Sequence, residues 1–239
     1  MSDALPPIDV SIVLPTYNEA QNIIPLLLDL DRELSGRAFE VLVVDDDSPD
    51  GTWRVAADFG ARHAFVRVIR RKNARGLSSA VVEGFRQSRG RFLGVMDADR
   101  SHDVGILGRL IETLEKGADI AVGSRRVPGG GADHWPWYRR MTSRIATGMA
   151  HLLLGIGLND PMSGYFLMKR ELFEQSAARL KPTGYKILLE IVVKARPRAL
   201  VEVPFIFKDR TQGYSKLSHH VILAYLGQLI SLAGEKQRP

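Results

Sequence analysis

The chain of 239 residues contains no cysteine, which excludes disulfides, thiolate metal sites and thiol nucleophiles together. Long apolar runs are missing too. No segment reaches the roughly 20 apolar residues a membrane-spanning helix requires, and the nearest, Val221 to Ala233, is short and interrupted by Gln228. No G-x-G-x-x-G follows the first apolar run, which weakens a nicotinamide-cofactor reading, and no Gly-Lys-Ser/Thr ending makes a Walker loop. His63, His134, His151, His219 and His220 share no metal-ligand spacing and read as surface or packing residues. Met1 to Asp9 is short, acidic and contains proline, so no signal peptide is expected there. Repeats, low-complexity tracts and a clear linker are also absent, and the expectation is a single domain over residues 1–239 in the cytoplasm.

What the sequence does contain is a large apolar fraction, 45%, enough for a substantial core. Its net charge is +6, from 33 Lys and Arg against 27 Asp and Glu, so anionic partners are expected. The cations come in short groups, Arg70-Arg71-Lys72, Arg125-Arg126 and Arg139-Arg140. That grouping suits phosphate sites better than a nucleic-acid tail, and no nucleic-acid partner is expected.

Short β-branched runs at Val10–Leu14, Phe39–Val44, Phe65–Ile69, Phe92–Met96 and Asp119–Val122 read as strands. Stretches with helical spacing lie between them, at Glu19–Leu34, Thr52–Arg62, Leu77–Ser88 and Val104–Lys116. This alternation predicts a mostly parallel α/β sheet covered on both faces, with ligands at the carboxyl ends of the strands. Further strands are expected at Tyr165–Met168 and Leu200–Phe207, and helices at about Arg139–Leu154 and Leu217–Leu232.

Two acidic clusters then fall on one rim. Asp45-Asp46-Asp47 follow the second strand and Asp97-Ala98-Asp99 follow the fourth, while Pro15 to Glu19 close the first. Carboxylates spaced as in Asp97 and Asp99 suit a hard divalent cation that also holds phosphate oxygens. The same residues also suit a polar turn with Ser101 or Asp103 as the cap of the next helix. Ser48-Pro49-Asp50-Gly51 has turn chemistry, with Asp50 or Thr52 as a cap, but a turn does not require the three carboxylates before it. Arg70 to Val81 reads as a loop with a cap or as an anion site at a helix start. Lys208, Arg210 and Lys216 surround Gly213, as in a loop that closes over a diphosphate or in an ordinary connection.

In order, the segments "SIVLPTYNE", "VVDDDSPDGT", "GLSSA", "MDADRSH", "VGSRR", "DPMSGYFLM", "VEVPFIF" and "RTQGYSKL" resemble the inverting family-two glycosyltransferases of the GT-A, Rossmann-like fold. Within them they are similar to the dolichol- or polyprenol-phosphate mannose synthases. The resemblance implies a nucleotide-sugar-binding half over about 9–124 and an acceptor-binding half over about 125–239. It also implies mannosyl transfer from GDP-mannose to a polyprenyl monophosphate, with glucosyl transfer from UDP-glucose or a non-catalytic nucleotide-sugar-binding subunit as alternatives.

Carried over by position, Pro15, Tyr17, Glu19, Asp46, Asp97, Arg210 and Lys216 bind the donor. Asp97, Asp99 and Ser101 hold Mg²⁺ or Mn²⁺. Arg125, Arg139 and Ser143 hold the acceptor phosphate, and Asp99, Arg125 and Arg210 carry the catalysis. Two positions depart from the family pattern: Arg100 stands where Leu is common, and Met162 replaces a small polar residue. With no spanning segment, the resemblance implies a peripheral contact at the cytoplasmic face of a membrane through the helices near 139–154 and 217–232. A separate membrane subunit is the alternative anchor.

Overall fold

The structure, a computed structural model, describes residues 7–132, 137–182, 186–208 and 219–236, apart from the side chains of 138–140, 219–224 and 236. Strands β1 (Val10–Thr16), β2 (Phe39–Asp45), β3 (Val66–Arg70) and β4 (Phe92–Val95) alternate with helices α1 (Ala20–Glu33), α2 (Thr52–Gly60) and α3 (Leu77–Gln87). A short 3-10 turn, Val104–Ile106, then leads into α4 (Leu107–Glu115) and β5 (Ile120–Ser124). Beyond these lie β6 (Gly131–Ala132), α5 (Trp137–Leu154), β7 (Phe166–Lys169), α6 (Arg170–Ala177), α7 (Ile187–Ala195), β8 (Leu200–Pro204), β9 (Ile206–Phe207) and α8 (His219–Lys236).

Seven strands form one sheet in the order β3-β2-β1-β4-β7-β5-β8. β7 runs antiparallel to both β4 and β5, and the other pairs are parallel. The expectation of a mostly parallel α/β sheet is met. Central strands buried on both faces read as continuous apolar runs, as "VSIVL" and "VLVV" do here. Ile23, Leu27, Phe59 and Leu110 cover one face, and Val81, Phe85, Phe173 and Leu188 cover the other. A third cluster joins α5, α7 and α8 through Leu154, Leu189, Tyr225 and Leu229. Helix α3 lies so close to β1 that a Cβ on Gly84 would stand 2.5 Å from a Val13 methyl.

The register sets the rim. Pro15 and Thr16 pair with Val44 and Asp45, while Val13 pairs with Val95, so the carboxyl ends of β2, β1 and β4 come out side by side. Pro15 lies beyond the last β4 pair, where its missing N–H breaks no ladder bond.

The second half departs from the sequence reading in three places. The strand expected over Leu200–Phe207 is two: Phe205 donates its N–H to Ser124 O (3.1 Å), its carbonyl accepts from Gly131 N–H (3.0 Å), and β9 leaves the main sheet to pair with β6. Helices α6 and α7 had no counterpart in the sequence reading. The last helix begins at His219 among the described residues and runs to Lys236.

Candidate active site

The acidic stretch after β2 divides into three jobs. Asp45 is fully buried and structural: Thr16 Oγ1 donates to it at 2.8 Å, and Ser48 donates both its N–H (2.8 Å) and its hydroxyl (2.6 Å). Asp47 adopts φ 55° and accepts from Arg70 Nε at 2.6 Å, and that guanidinium stacks 3.8 Å over Trp53. Asp46 faces the rim. Arg71 Nε donates to its Oδ1 at 2.7 Å, and the Gly76 N–H donates to its Oδ2 at 2.8 Å. Arg71 also donates to Ser79 Oγ (3.0 Å) and Gly76 O (3.1 Å), which fastens Asp46 to the start of α3. The Arg70–Val81 stretch is therefore the wall that fixes Asp46.

Turn chemistry accounts for Ser48 to Thr52. Asp50 accepts from Thr52 N–H at 3.0 Å and from its hydroxyl at 2.6 Å, and also from Ala20 N–H at 3.0 Å. It thus serves the starts of α1 and α2 together. Asn18 N–H bonds Ser48 Oγ (3.0 Å) and Glu19 N–H bonds Thr52 Oγ1 (2.9 Å), so Pro15–Glu19 lies along the acidic loop. Glu19 Oε2 accepts from Asn22 at 2.7 Å, and the Arg75 guanidinium sits 5.2 Å from the Tyr17 ring.

At the end of β4, Asp97 keeps a partly exposed carboxylate, 29%. Asp99 is buried, with its Oδ1 held by the Ser101 N–H (3.0 Å) and hydroxyl (2.5 Å). Asp103, not Ser101, caps the 3-10 turn, accepting from Gly105 N–H at 3.1 Å. Cap and carboxylate pair thus coexist on different residues. A Cβ at Gly164 would come within 3.3 Å of Asp97 Oδ1, so this glycine keeps the space in front of the carboxylate clear. Two oxygen donors with that room beside them fit a hard cation that takes its remaining ligands from water and phosphate. No group of three or more acidic or histidine side chains suited to a metal occurs among the described residues.

Beneath the pair lies His102, which sequence reasoning gave no role. Its Nδ1 accepts from the Asp97 N–H at 3.1 Å, and its ring stacks on Tyr165 between the edges of Phe205 and Phe207. Burial pushes its pKa down, against the pull of Asp97 and Asp99, so the neutral ring that accepts this bond is favoured. Arg100 extends away from the site and donates to Asp29 on α1 at 3.2 Å. Its departure from the family pattern therefore directs this guanidinium to α1.

The second half supplies a cationic cleft of about 350 Å³ lined by Arg125, Arg126, Ser143 and Arg144, with Gly130, Gly131 and Ala132. Asp160 grips Arg125 in a fork, accepting from Nε at 2.7 Å and Nη2 at 2.8 Å. Burial works to raise the Asp160 pKa, but the Arg125 guanidinium and N–H outweigh it and hold the carboxyl below the usual range. Arg126 donates to Ser143 Oγ at 2.7 Å. Arg139 belongs to α5, one turn before Ser143. Arg210 and Lys216 lie outside the described residues. Of the expected acceptor residues, Arg125 and Ser143 come together in this cleft. Arg126 and Arg144 were missed as members, and the Arg125-Arg126 pair was the available signal.

The strand order and rim define the class of protein: a GT-A glycosyltransferase fold. The chain belongs to glycosyl transferase family 2, whose model matches residues 11–176. It is 42% identical over 93% of its length to the dolichol-phosphate mannosyltransferase of Pyrococcus furiosus, of which it spans 63%. It is 40% identical over 94% of its length to the dolichol-phosphate mannosyltransferase of Saccharomyces cerevisiae, of which it spans 87%. Among solved structures, glucosyl-3-phosphoglycerate synthase from Mycobacterium tuberculosis, in complex with Mn²⁺ and UDP-glucose, superposes with a TM-score of 0.72 at 21% identity. That match covers 95% of this chain and 79% of the other, and it supports the fold alone.

Proposed function

We propose that the protein transfers mannose from GDP-mannose to a polyprenyl monophosphate with inversion at the anomeric carbon, at a membrane surface. The observation that carries this reading is one rim with two kinds of charge. A carboxylate pair suited to a metal-diphosphate stands at the end of β4, and a cleft of three arginines and Ser143 suited to a phosphate monoester stands across the 160–164 turn. The names of the relatives support the choice of mannose and of a polyprenyl acceptor.

In this reading Asp46, fixed by Arg71 and Gly76, reads the nucleoside together with Pro15, Tyr17 and Glu19. Asp97 and Asp99 hold Mg²⁺ or Mn²⁺, which when bound supplies charge neutralisation for the diphosphate. Ser101 orients Asp99 through the two hydrogen bonds it donates, in place of the ligand role its position implies. Arg125, held rigid by Asp160, aligns the acceptor phosphate with Ser143, Arg126 and Arg144. An acceptor oxygen forms the new bond to the sugar's C1 as the bond from C1 to the diphosphate oxygen breaks, and the electron pair leaves with GDP. A phosphate dianion attacks without giving up a proton, so positioning replaces a general base.

The lipid suggests where the protein sits. Trp137, Met141, Ile145 and Leu152 on α5 are 73%, 49%, 55% and 84% exposed. At 100° per residue they fall within about 80° of arc, with Arg144 of the cleft about 20° from its edge. A stripe of this kind suits peripheral insertion among headgroups. No helix of the described residues is long and apolar enough to cross a membrane.

The test is mannosyl transfer from GDP-mannose to polyprenyl phosphate with Mg²⁺ or Mn²⁺, read by extraction of labelled lipid. Transfer that is lost in Asp99→Ala and in Arg125→Ala supports the reading. Equal transfer by both variants contradicts it.

A further inference from the structure

Lys186 lies just ahead of α7, far from both clusters in sequence, yet its Nζ donates to Met162 O at 3.1 Å. That carbonyl is in the middle of the 160–164 turn, which Ser163 closes by donating its N–H to Asp160 O at 3.1 Å. One end of the turn holds Asp160, engaged with Arg125. At the other end Gly164 faces the Asp97 carboxylate. The ammonium therefore sits on the strip of backbone that separates the donor carboxylates from the acceptor cleft. The residue as a whole is half-buried, and the ammonium is its enclosed end. Burial and the neighbouring Arg125 push its pKa down, while Asp97 and Asp160 act in the opposite sense.

An enclosed cation is costly unless several acceptors or a counter-charge satisfy it. Among the described residues the hydrogen bonds of Lys186 Nζ amount to that one carbonyl. Of the two acids whose fields it feels, Asp160 is committed to Arg125 and Asp97 faces the cation site. Among the described residues no carboxylate forms an ion pair with this ammonium, and the reaction brings two anions.

We propose that Lys186 is a further catalytic residue, its ammonium contacting phosphate oxygens where the acceptor phosphate and the departing diphosphate meet. This rests on the reading of the site as hexosyl transfer to a phosphate. As the acceptor oxygen bonds to C1 and the diphosphate departs with the electron pair, Lys186 offsets the repulsion between the two anions. It stays protonated throughout.

The test compares Lys186→Met, Lys186→Gln and Lys186→Arg by mannosyl-transfer kinetics and by calorimetric affinity for GDP with Mn²⁺. Glutamine retains a donor for Met162 O but no charge, and arginine retains both. The expected result is a loss of about 10²-fold in kcat for Met and Gln alike, weaker GDP binding in both, and recovery to within about tenfold by Arg. A Gln variant with the turnover and GDP affinity of the unmodified protein would overturn the proposal, because a hydrogen-bonded peg would then suffice. Failure of the unmodified chain to transfer mannose would count against the substrate reading, while the GDP-affinity comparison judges Lys186 separately.

Discussion

At the scale of single residues, much of the proposed donor side is legible in sequence and its supports are not. Asp46, Asp97 and Asp99 announce themselves as carboxylates at strand ends, where an α/β sheet collects ligands. Arg71, Asp160 and Lys186 give no such signal. Arg71 meets Asp46 across 25 positions and Asp160 meets Arg125 across 35, so only the folded register brings them together. Since the hydrogen bonds of Arg71 among the described residues go to Asp45, Asp46, Gly76 and Ser79, Arg71→Ala should raise KM for the donor about tenfold, with kcat kept within about threefold. Steady-state kinetics with varied GDP-mannose checks this. Arg100 spends its guanidinium on Asp29 at the surface of α1, so Arg100→Leu should leave turnover within about twofold of the unmodified protein, measured in the same assay.

At the scale of elements, the first five strands and four helices follow from alternation between period 2 and period 3.6. Helix α7 did not, because "ILLEIVVKA" is buried from Ile187 to Lys194 and shows no apolar stripe. The break at Phe205 was hidden too, since a bond from one buried backbone N–H to Ser124 O decides it. Two packing features make testable demands. Gly84→Ala would drive a methyl into Val13 at the α3–β1 contact, and a loss of about 1–3 kcal/mol is expected in urea unfolding.

The buried Glu40 on β2 accepts from Ser11 Oγ, Arg67, and the N–H and guanidinium of Arg89. Burial raises its pKa, but these donors outweigh burial and hold it below the usual 4.5. Its stabilisation is therefore present above the unfolded value and lost as pH falls through the folded one. Denaturant midpoints measured between neutral pH and pH 3 should fall less steeply in Glu40→Gln than in the unmodified protein, from a lower starting point.

At the scale of the whole molecule, the sheet gathers the carboxylates proposed to serve the donor from the first half and the arginines proposed to hold the acceptor from the second, with the 160–164 turn between them. The exposed stripe on α5 runs beside one of those arginines, Arg144. In flotation with anionic liposomes at low salt, the unmodified chain should rise with the vesicles, and a Trp137→Ser, Ile145→Ser, Leu152→Ser variant should stay behind. The measurement that bears most directly on the central claim is a donor competition. GDP-mannose and UDP-glucose, each distinctly labelled, are offered together with polyprenyl phosphate and Mn²⁺, and the extracted lipid is analysed. The account predicts that the lipid carries mannose. Glucose in the lipid, or label in neither form, would contradict it.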